Sequence, residues 1–300
     1  MNLRDLQYFV VLAKTEHFGE AARQCFVSQP TLSMQIKKLE EELGVQLFER
    51  DNKRVMLTDS GRLLLGRAKA ILSQVAEMKE MANAARDPFA GELHLGAIPT
   101  VAPYLLPLIM PGIQSHFPQL KIWLIEDKTH HLVQRLQEGT LDAAIMALPV
   151  PGDFEHHLLF EEPFYFACSP DYPLPTGRPV QLEQLAGQPI MLLEEGHCLR
   201  EQAMSICQTV KAETTVDFTA TSLETLRLMV QAGRGVTLMP ALAVLGVAES
   251  ELKILPFANA NASRRMALFW RGSSAKRRCL AAMAEVIHDR MTAILPIERP

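Results

Sequence analysis

Apolar residues recur at helical spacing through the first part of this 300-residue chain. Leu6, Phe9, Val10 and Ala13 follow the i, i+3, i+4, i+7 pattern, which predicts a helix with one buried face. A short second helix is predicted around the small pair Ala21-Ala22. These dense, short patterns predict a helical head over residues 1–58.

The next helix of the head is predicted between Ser28, a good N-cap, and Gly44, a typical residue at a helix C-terminus. A tight turn before a helix with an outward polar, basic face is typical of a helix-turn-helix in the DNA major groove. Hydroxyl and amide groups there bind base edges, and lysine neutralises phosphate. The residues predicted to contact DNA are Ser28, Gln29, Pro30, Thr31, Ser33, Gln35 and Lys37.

A β-hairpin is predicted at the end of the head, with its turn near Asp51-Asn52. It carries Arg50, Lys53 and Arg54, which we expect to reach the DNA backbone or minor groove as a wing. The alternative to a DNA-binding head is an all-α bundle in which the polar face of the helix after Ser28 is only solvated. This alternative stays open because residues 1–60 are not net basic, with 8 Lys and Arg against 9 Asp and Glu.

A long helix is predicted over residues 59–86, with a narrow apolar seam at alternating spacings of four and three. Such a seam favours helix-on-helix dimerisation, and a dimer would read a two-fold-related operator. The alternative is a core helix of the following domain. The predicted seam residues are Leu64, Ala68, Ile71, Val75, Met78 and Ala82.

Proline and glycine break the helical pattern at residues 87–91, which we interpret as a hinge. Apolar strand-like runs then alternate with helical stretches over residues 92–300, which favours a parallel or mixed α/β sheet. The chain is therefore predicted to be an α/β multidomain protein.

Composition narrows the class of protein. With 48% hydrophobic and 21% charged residues the chain is typical of a soluble globular protein. A net charge of −4 excludes a generally basic, histone-like binder, although a local basic patch remains compatible with it. The first residues lack the apolar core of a signal peptide, and no apolar stretch reaches the roughly 20 residues that span a bilayer. We therefore expect a cytoplasmic protein without membrane contact, whose cysteines are mostly thiols.

The motifs of the head are similar to those of LysR-type transcriptional regulators. They are Ala21-Ala22, Ser28–Ser33, Leu39-Glu40, Leu43-Gly44 and Leu57-Thr58 ahead of Gly61. The resemblance covers essentially the whole chain. It implies a fold with a winged helix-turn-helix, a dimerisation helix and a two-lobed regulatory domain like periplasmic binding proteins. It also implies that the protein forms homodimers or homotetramers, binds double-stranded DNA and contacts RNA polymerase. The implied lobe I is residues 92–162 and 266–300, and lobe II is residues 163–265.

Within that family the body resembles the OxyR subfamily of hydrogen peroxide sensors. The matching segments are Ile98–Pro107, Lys128–His130, Leu192–Cys207 and Ala220–Val244. The resemblance implies that Cys198 is the peroxidatic thiol and Cys207 the resolving thiol of a reversible disulfide. It implies a peroxide-responsive activator or repressor of antioxidant genes. The peroxide pocket that it implies is Thr100, Thr129, His197 and Arg265. Asp217 stands where some members have histidine, which leaves any role there open.

The residues around Cys198 fit a reactive thiol. A helix predicted from about Leu199 places Cys198 near its N-terminus, where the helix dipole, His197 and Arg200 would favour the thiolate. If Cys198 and Cys207 share one helix, they lie about 13.5 Å apart along its axis. A disulfide needs Cα atoms within about 7 Å, so bond formation would remodel this segment.

Other readings remain open at this point. A cytosolic cysteine is most often a small buried hydrophobe, which we expect for Cys25, Cys168 and Cys279. The body could instead bind a small organic effector near Thr100, or Cys198 could serve an enzyme as nucleophile. No metal is expected, because the adjacent histidine pairs cannot face one ion together, and no cofactor motif is present.

Overall fold

The computed structural model describes residues 1–51, 54–84, 87–173, 179–186, 188, 190–209, 214–258 and 262–295. The chain divides into two compact units. The first holds Met1–Ala85 with Glu138–Thr140, and the second holds Arg86–Gln137 with Leu141–Pro300. In the part of the chain that the structure describes, every helix is too short or too polar to cross a bilayer.

The first unit contains the helical head that the sequence pattern predicts. Its elements are α1 (Leu3–Thr15), α2 (Phe18–Gln24), α3 (Gln29–Leu43), β1 (Phe48–Asp51), β2 (Arg54–Leu57) and α4 (Asp59–Ala84). Ser28 caps α3 through its hydroxyl, and Gly44 ends that helix with a left-handed φ of 69°. Leu32, Ile36 and Leu39 of α3 are fully buried in the head core. The two strands pair antiparallel, so the predicted hairpin is present.

The long helix α4 divides the predicted seam into two parts. Ala68 is buried, and Leu64 packs against the same head core. Ala68 therefore belongs to the head core, which corrects its assignment to a partner helix. Ile71 and Met78 are exposed by 38% and 66%, and Ala82 is exposed as well. Val75 is half-buried, so the outer part of the seam is available to a second chain.

The second unit is a mixed α/β body. Its strands are β3 (Gly91–Ala97), β4 (Leu120–Glu126), β5 (Ala143–Ala147), β6 (Glu155–Cys168), β7 (Ile190–Leu193), β8 (Thr214–Ala220), β9 (Thr237–Pro240), β10 (Lys253–Pro256) and β11 (Ser263–Trp270). Its helices are α5 (Ala102–His116), α6 (Thr129–Gln137), α7 (Cys198–Thr209), α8 (Leu223–Gln231), α9 (Ala241–Val244) and α10 (Arg277–Ile294).

One sheet links most of the described strands of the body, in the order β10-β6-β11-β5-β3-β4, and β9 also pairs with β6. The strand β3 runs parallel to β4 and β5, whereas β11 runs antiparallel to β5 and β6. A separate parallel pair joins β7 to β8. The predicted parallel or mixed α/β sheet is therefore present.

Two long strands, β6 and β11, pass from one hydrophobic core of the body to another. On β6, Phe160 belongs to the core that contains β3, β4 and β5, whereas Phe164 belongs to the core around α7 and α8. Near β11, Met266 and Ala262 divide between the same two cores. Residues at these crossings can therefore contact both hydrophobic cores.

Candidate functional site

Cys198 is the first residue of α7 and follows a turn after β7. Gly196 occupies that turn with a left-handed φ of 89°, a conformation that glycine adopts without a steric penalty. Cys198 is partly buried and packs against the core of lobe I. The turn and the helix start thus place the thiol against the hydrophobic core that contains β3, β4 and β5.

Arg200 forms a bond back to the strand that precedes its helix. Its Nη1 donates a 2.7 Å hydrogen bond to the carbonyl of Leu193 at the end of β7. The guanidinium therefore anchors the first turn of α7 to β7, and its support of the Cys198 thiolate stays a prediction.

A buried charged cluster forms the floor of the site. Arg264 Nε donates to Glu162 Oε2 at 2.7 Å, and both side chains have 0% of their surface exposed. Arg264 Nη1 donates to Thr100 Oγ1 at 3.0 Å and Nη2 to the Thr100 carbonyl at 3.1 Å. The other carboxylate oxygen of Glu162 accepts a 2.8 Å bond from the Leu242 N–H. These contacts hold the guanidinium in one orientation.

The pocket arginine is therefore Arg264, which corrects the prediction of Arg265. Successive residues of a strand point to opposite faces, and on β11 the side chain of Arg264 is buried while that of Arg265 is exposed. Arg264 is near enough to lower the pKa of the Cys198 thiol through its charge. Glu162 and Arg264 were both missed from sequence.

The expectation of a thiol with a lowered pKa is wrong for this conformation. Burial raises the pKa of Cys198 above its ordinary value, and this is the largest influence on it. The charge of Arg264, the hydroxyl of Thr129 and the N–H of Leu199 oppose the rise, whereas Glu201 adds to it. The site therefore holds mainly the neutral thiol near pH 7, with donors already placed for the thiolate.

Three buried polar atoms near the thiol lack a hydrogen bond of standard geometry among the described residues. They are Thr129 Oγ1, His197 Nε2 and Gln202 Oε1. Thr129 lies close enough to the thiol to affect its pKa. His197 precedes Cys198, and Gln202 follows it by four residues, on the same face of α7. Because unpaired buried polar groups are costly, this arrangement fits a small polar ligand with donors and acceptors.

His197 is buried, and burial lowers its pKa. The positive charge of Lys128 lowers the pKa of His197 further, while Glu194 opposes both effects. The imidazole is therefore neutral near pH 7, so that it can either donate or accept a hydrogen bond. This places a neutral ring beside a neutral thiol.

Cys207 lies on α7 in the same helix as Cys198. The nine-residue separation corresponds to about 13.5 Å of helical rise. Asp217 lies on β8. The side chains of both residues lie outside the described part of the structure.

The remaining described cysteines differ from Cys198. Cys168 and Cys279 are buried, and burial raises the pKa of each to about 11. Cys25 is partly buried in the head, and burial raises its pKa as well. Among the described residues, no group of three His, Cys, Asp or Glu side chains is arranged to hold a metal ion.

The candidate DNA-binding surface lies on α3 and the turn before it. Ser28, Gln29, Pro30 and Lys37 are exposed. The half-buried residues of the predicted set are Thr31, Ser33 and Gln35. Arg50 and Arg54 lie on β1 and β2 with side chains that are not described, and Lys53 lies outside the described residues.

Sequence reasoning also missed Phe26, which lies in the turn between α2 and α3. Its side chain is 95% exposed, and its φ of 56° lies in the left-handed region. An exposed aromatic ring beside a recognition helix is a candidate DNA contact. No sequence signal marked it, because Phe26 lies between Cys25 and Val27, which are typical of a buried segment.

Two family models together cover most of the chain. The model of the LysR substrate binding domain matches residues 86–292, and that of the bacterial regulatory helix-turn-helix protein, lysR family, matches residues 3–62. The chain belongs to the LysR family. The head with its helix-turn-helix and the α/β body described above are thus the two parts of a LysR-family regulator.

Similar proteins place this LysR-family chain in the OxyR group. It is 45% identical over 293 residues to the DNA-binding transcriptional dual regulator OxyR of Escherichia coli K12, covering 97% of this chain and 96% of that protein. A full-length OxyR mutant from Pseudomonas aeruginosa matches with a TM-score of 0.79 and 39% identity, over 96% of this chain and 94% of that one. A hydrogen peroxide-bound OxyR mutant from Corynebacterium glutamicum matches with a TM-score of 0.68 and 33% identity, over 98% and 94%.

Proposed function

We propose that this protein is a DNA-binding transcription regulator that senses hydrogen peroxide through Cys198. The observation that carries the proposal is the setting of this thiol. The charge of the buried Arg264 and the hydroxyl of Thr129 both act on Cys198, and Thr129, His197 and Gln202 each carry a buried polar atom without a hydrogen bond among the described residues. Relatives with the same architecture bear names of peroxide-responsive activators, and one was solved with peroxide bound.

The chemistry follows from the groups at hand. As the Cys198 proton leaves, the sulfur attacks one peroxide oxygen and the O–O bond breaks. The product is a sulfenic acid that keeps the hydrogen of the attacked oxygen, and the leaving hydroxide takes up the Cys198 proton to give water. The pocket arginine and the Thr129 hydroxyl stabilise the developing thiolate and leaving oxygen. This stabilisation offsets the effect of burial, which disfavours the Cys198 thiolate before peroxide enters.

The second step joins Cys198 to Cys207. The Cys207 thiolate attacks the sulfenic sulfur, the S–O bond breaks, and the oxygen leaves as a second water. Because α7 separates the two residues by about 13.5 Å of rise and a disulfide tolerates only about 7 Å between Cα atoms, the helix must unwind. A local oxidation thus becomes a large rearrangement that can repack a subunit interface.

We further propose how the signal reaches DNA. The exposed α3 surface contacts the major groove, and the exposed outer seam of α4 at Ile71, Met78 and Ala82 joins two chains. The dimer, or a tetramer built from it, reads a two-fold-related operator and contacts RNA polymerase. The domain limits predicted from sequence, including the two lobes, belong to this proposal, as does a cytoplasmic location.

The test is mass spectrometry with thiol labelling before and after stoichiometric peroxide, alongside operator footprinting. We expect wild type to lose two hydrogens at Cys198 and Cys207, reversibly with dithiol, and to change its footprint. Cys198→Ser abolishes both changes, while Cys25→Ser, the matched control in the head, leaves both intact. If wild-type Cys198 and Cys207 both remain labelled, peroxide sensing is wrong, and a small effector near Thr100 becomes the hypothesis to test.

A further inference from the structure

A lysine from lobe I holds the turn that precedes the reactive thiol. Lys128 Nζ forms a 2.6 Å ion pair with Glu194 Oε1 and donates a 3.2 Å hydrogen bond to the Glu195 carbonyl. Glu194 and Glu195 lie between the end of β7 and Cys198. Lys128 thus contacts the chain at the residues four and three positions before Cys198.

The stem of the lysine also lies against this turn. A Cβ added to Gly196 would lie 3.3 Å from Lys128 Cδ and 3.5 Å from its Nζ. Only the first of these distances is tighter than an ordinary contact, so the absence of a side chain at Gly196 leaves room for the lysine stem beside the turn. The ion pair and the hydrogen bond are therefore the contacts that hold the turn.

The lysine backbone belongs to a fixed part of lobe I. Its carbonyl accepts hydrogen bonds from His131 and Leu132 in the first turn of α6, and Leu132 is fully buried in the lobe I core. Its N–H donates to Asp127 Oδ1 at 2.9 Å. The next residue, Thr129, acts on the thiol itself. One short segment of lobe I therefore contacts the thiol and also holds its leading turn.

We propose that Lys128 is a positioning residue that latches the Glu194–Cys198 turn in the reduced protein and so sets the thiol–disulfide equilibrium. The inference rests on the proposed Cys198–Cys207 switch. Disulfide formation must draw Cys198 away from lobe I, and the turn that Lys128 holds moves with it. The free energy of the latch is therefore present in the dithiol form and lost in the disulfide form.

The experiment is a redox titration of the full-length protein with mixtures of reduced and oxidised glutathione. In the reaction, the protein disulfide and two glutathione thiols give the protein dithiol and glutathione disulfide. We expect Lys128→Met and Glu194→Gln each to shift the equilibrium toward the protein disulfide by about two- to fivefold, the range for partly exposed ion pairs. Fivefold makes the two-electron potential about 20 mV more negative.

Two further variants separate the latch from general effects of charge. The double variant should shift no more than Lys128→Met alone, because that single variant already loses both contacts of the lysine with the turn. Lys121→Met is the matched control, since Lys121 forms its own 3.2 Å ion pair with Glu92 elsewhere in lobe I. We expect that variant to keep the wild-type potential.

The outcomes are distinct. If wild type forms no Cys198–Cys207 disulfide, the proposed function fails and the latch with it. If wild type forms the disulfide but both single variants keep its potential, or if their shifts add in the double variant, only the latch is wrong. A Lys128→Glu/Glu194→Lys exchange that recovers the wild-type potential would support the ion pair directly.

Discussion

The two sides of the candidate peroxide site are held by interactions of different strength. The floor is the Arg264–Glu162 pair, fully buried and bonded to Thr100 and to the Leu242 backbone. The other side is the turn and first residues of α7, held to lobe I by the partly exposed Lys128–Glu194 pair. Loss of Glu162 would leave the buried charge of Arg264 without its partner, whereas separation of Lys128 from Glu194 only exposes two charged groups to water.

That difference matches the two tasks that we propose for the site. Reaction with a small oxidant needs donors held in fixed positions, because reorganising them would raise the barrier. Conversion of the product into a disulfide needs the thiol to leave. The rigid Arg264–Glu162 cluster meets the first need, and a turn that can leave Lys128 meets the second. Variants that weaken the contacts of one side should therefore leave the contacts of the other side unchanged.

The largest effect is expected at the floor. Glu162→Ala leaves the buried guanidinium of Arg264 without its carboxylate and should lower the free energy of unfolding by about 3–5 kcal/mol. Urea denaturation measures this. Glu161→Ala is the matched control, because Glu161 is the exposed neighbour on β6 and should change stability by less than about 0.5 kcal/mol. Equal losses of stability in the two variants would contradict the conclusion that Glu162 neutralises a buried charge on Arg264.

A smaller effect is expected where the two sides meet. Thr129→Val removes the hydroxyl near the thiol while keeping the shape, so it should raise the pKa of Cys198 and slow its reaction with peroxide about tenfold. Stopped-flow kinetics measures the rate. Thr129→Ser retains the hydroxyl and should react within about threefold of wild type. If Val and Ser slow the reaction equally, packing rather than the hydroxyl is responsible.

The smallest effect is the pH dependence that burial of the thiol imposes. Because the pKa of Cys198 is raised in the folded protein, its contribution to stability is complete below the ordinary pKa near 9.0 and is lost as pH rises through the folded pKa. Urea denaturation of reduced wild type and Cys198→Ser from pH 7.5 to 10.5 should show wild type losing stability relative to the variant. The slope for one group stays below about 1.4 kcal/mol per pH unit.

A wild-type stability that rises relative to Cys198→Ser over this range would mean that the fold favours the thiolate. That result would restore the expectation of a lowered pKa. It would also make the opposing charge of Arg264 the dominant influence on the thiol.

Sequence patterns predicted the head well because its helices are specified locally. The apolar stripe of α3 and its Ser28 and Gly44 ends lie within one continuous segment. On β11 the prediction of Arg265 came from the family resemblance, whereas the residue buried there is Arg264. Successive residues of a strand face opposite sides, so a difference of one position changes which side chain is buried. The buried residue, Arg264, is identified only by packing.

The sequence by itself determined the order of elements, the helix that carries Cys198 and Cys207, and the resemblance to a LysR regulator, because each depends on neighbouring residues. Tertiary structure decided the chemistry around the thiol. Arg264 acts on the thiol from β11, Glu162 of β6 holds Arg264, and Lys128 contacts the turn before the thiol from the start of α6. Burial raises the pKa of Cys198, whereas the sequence predicted a lowered one. This burial results from packing against the core that contains β3, β4 and β5, and such a contact between distant segments cannot be inferred from the spacing of neighbouring residues.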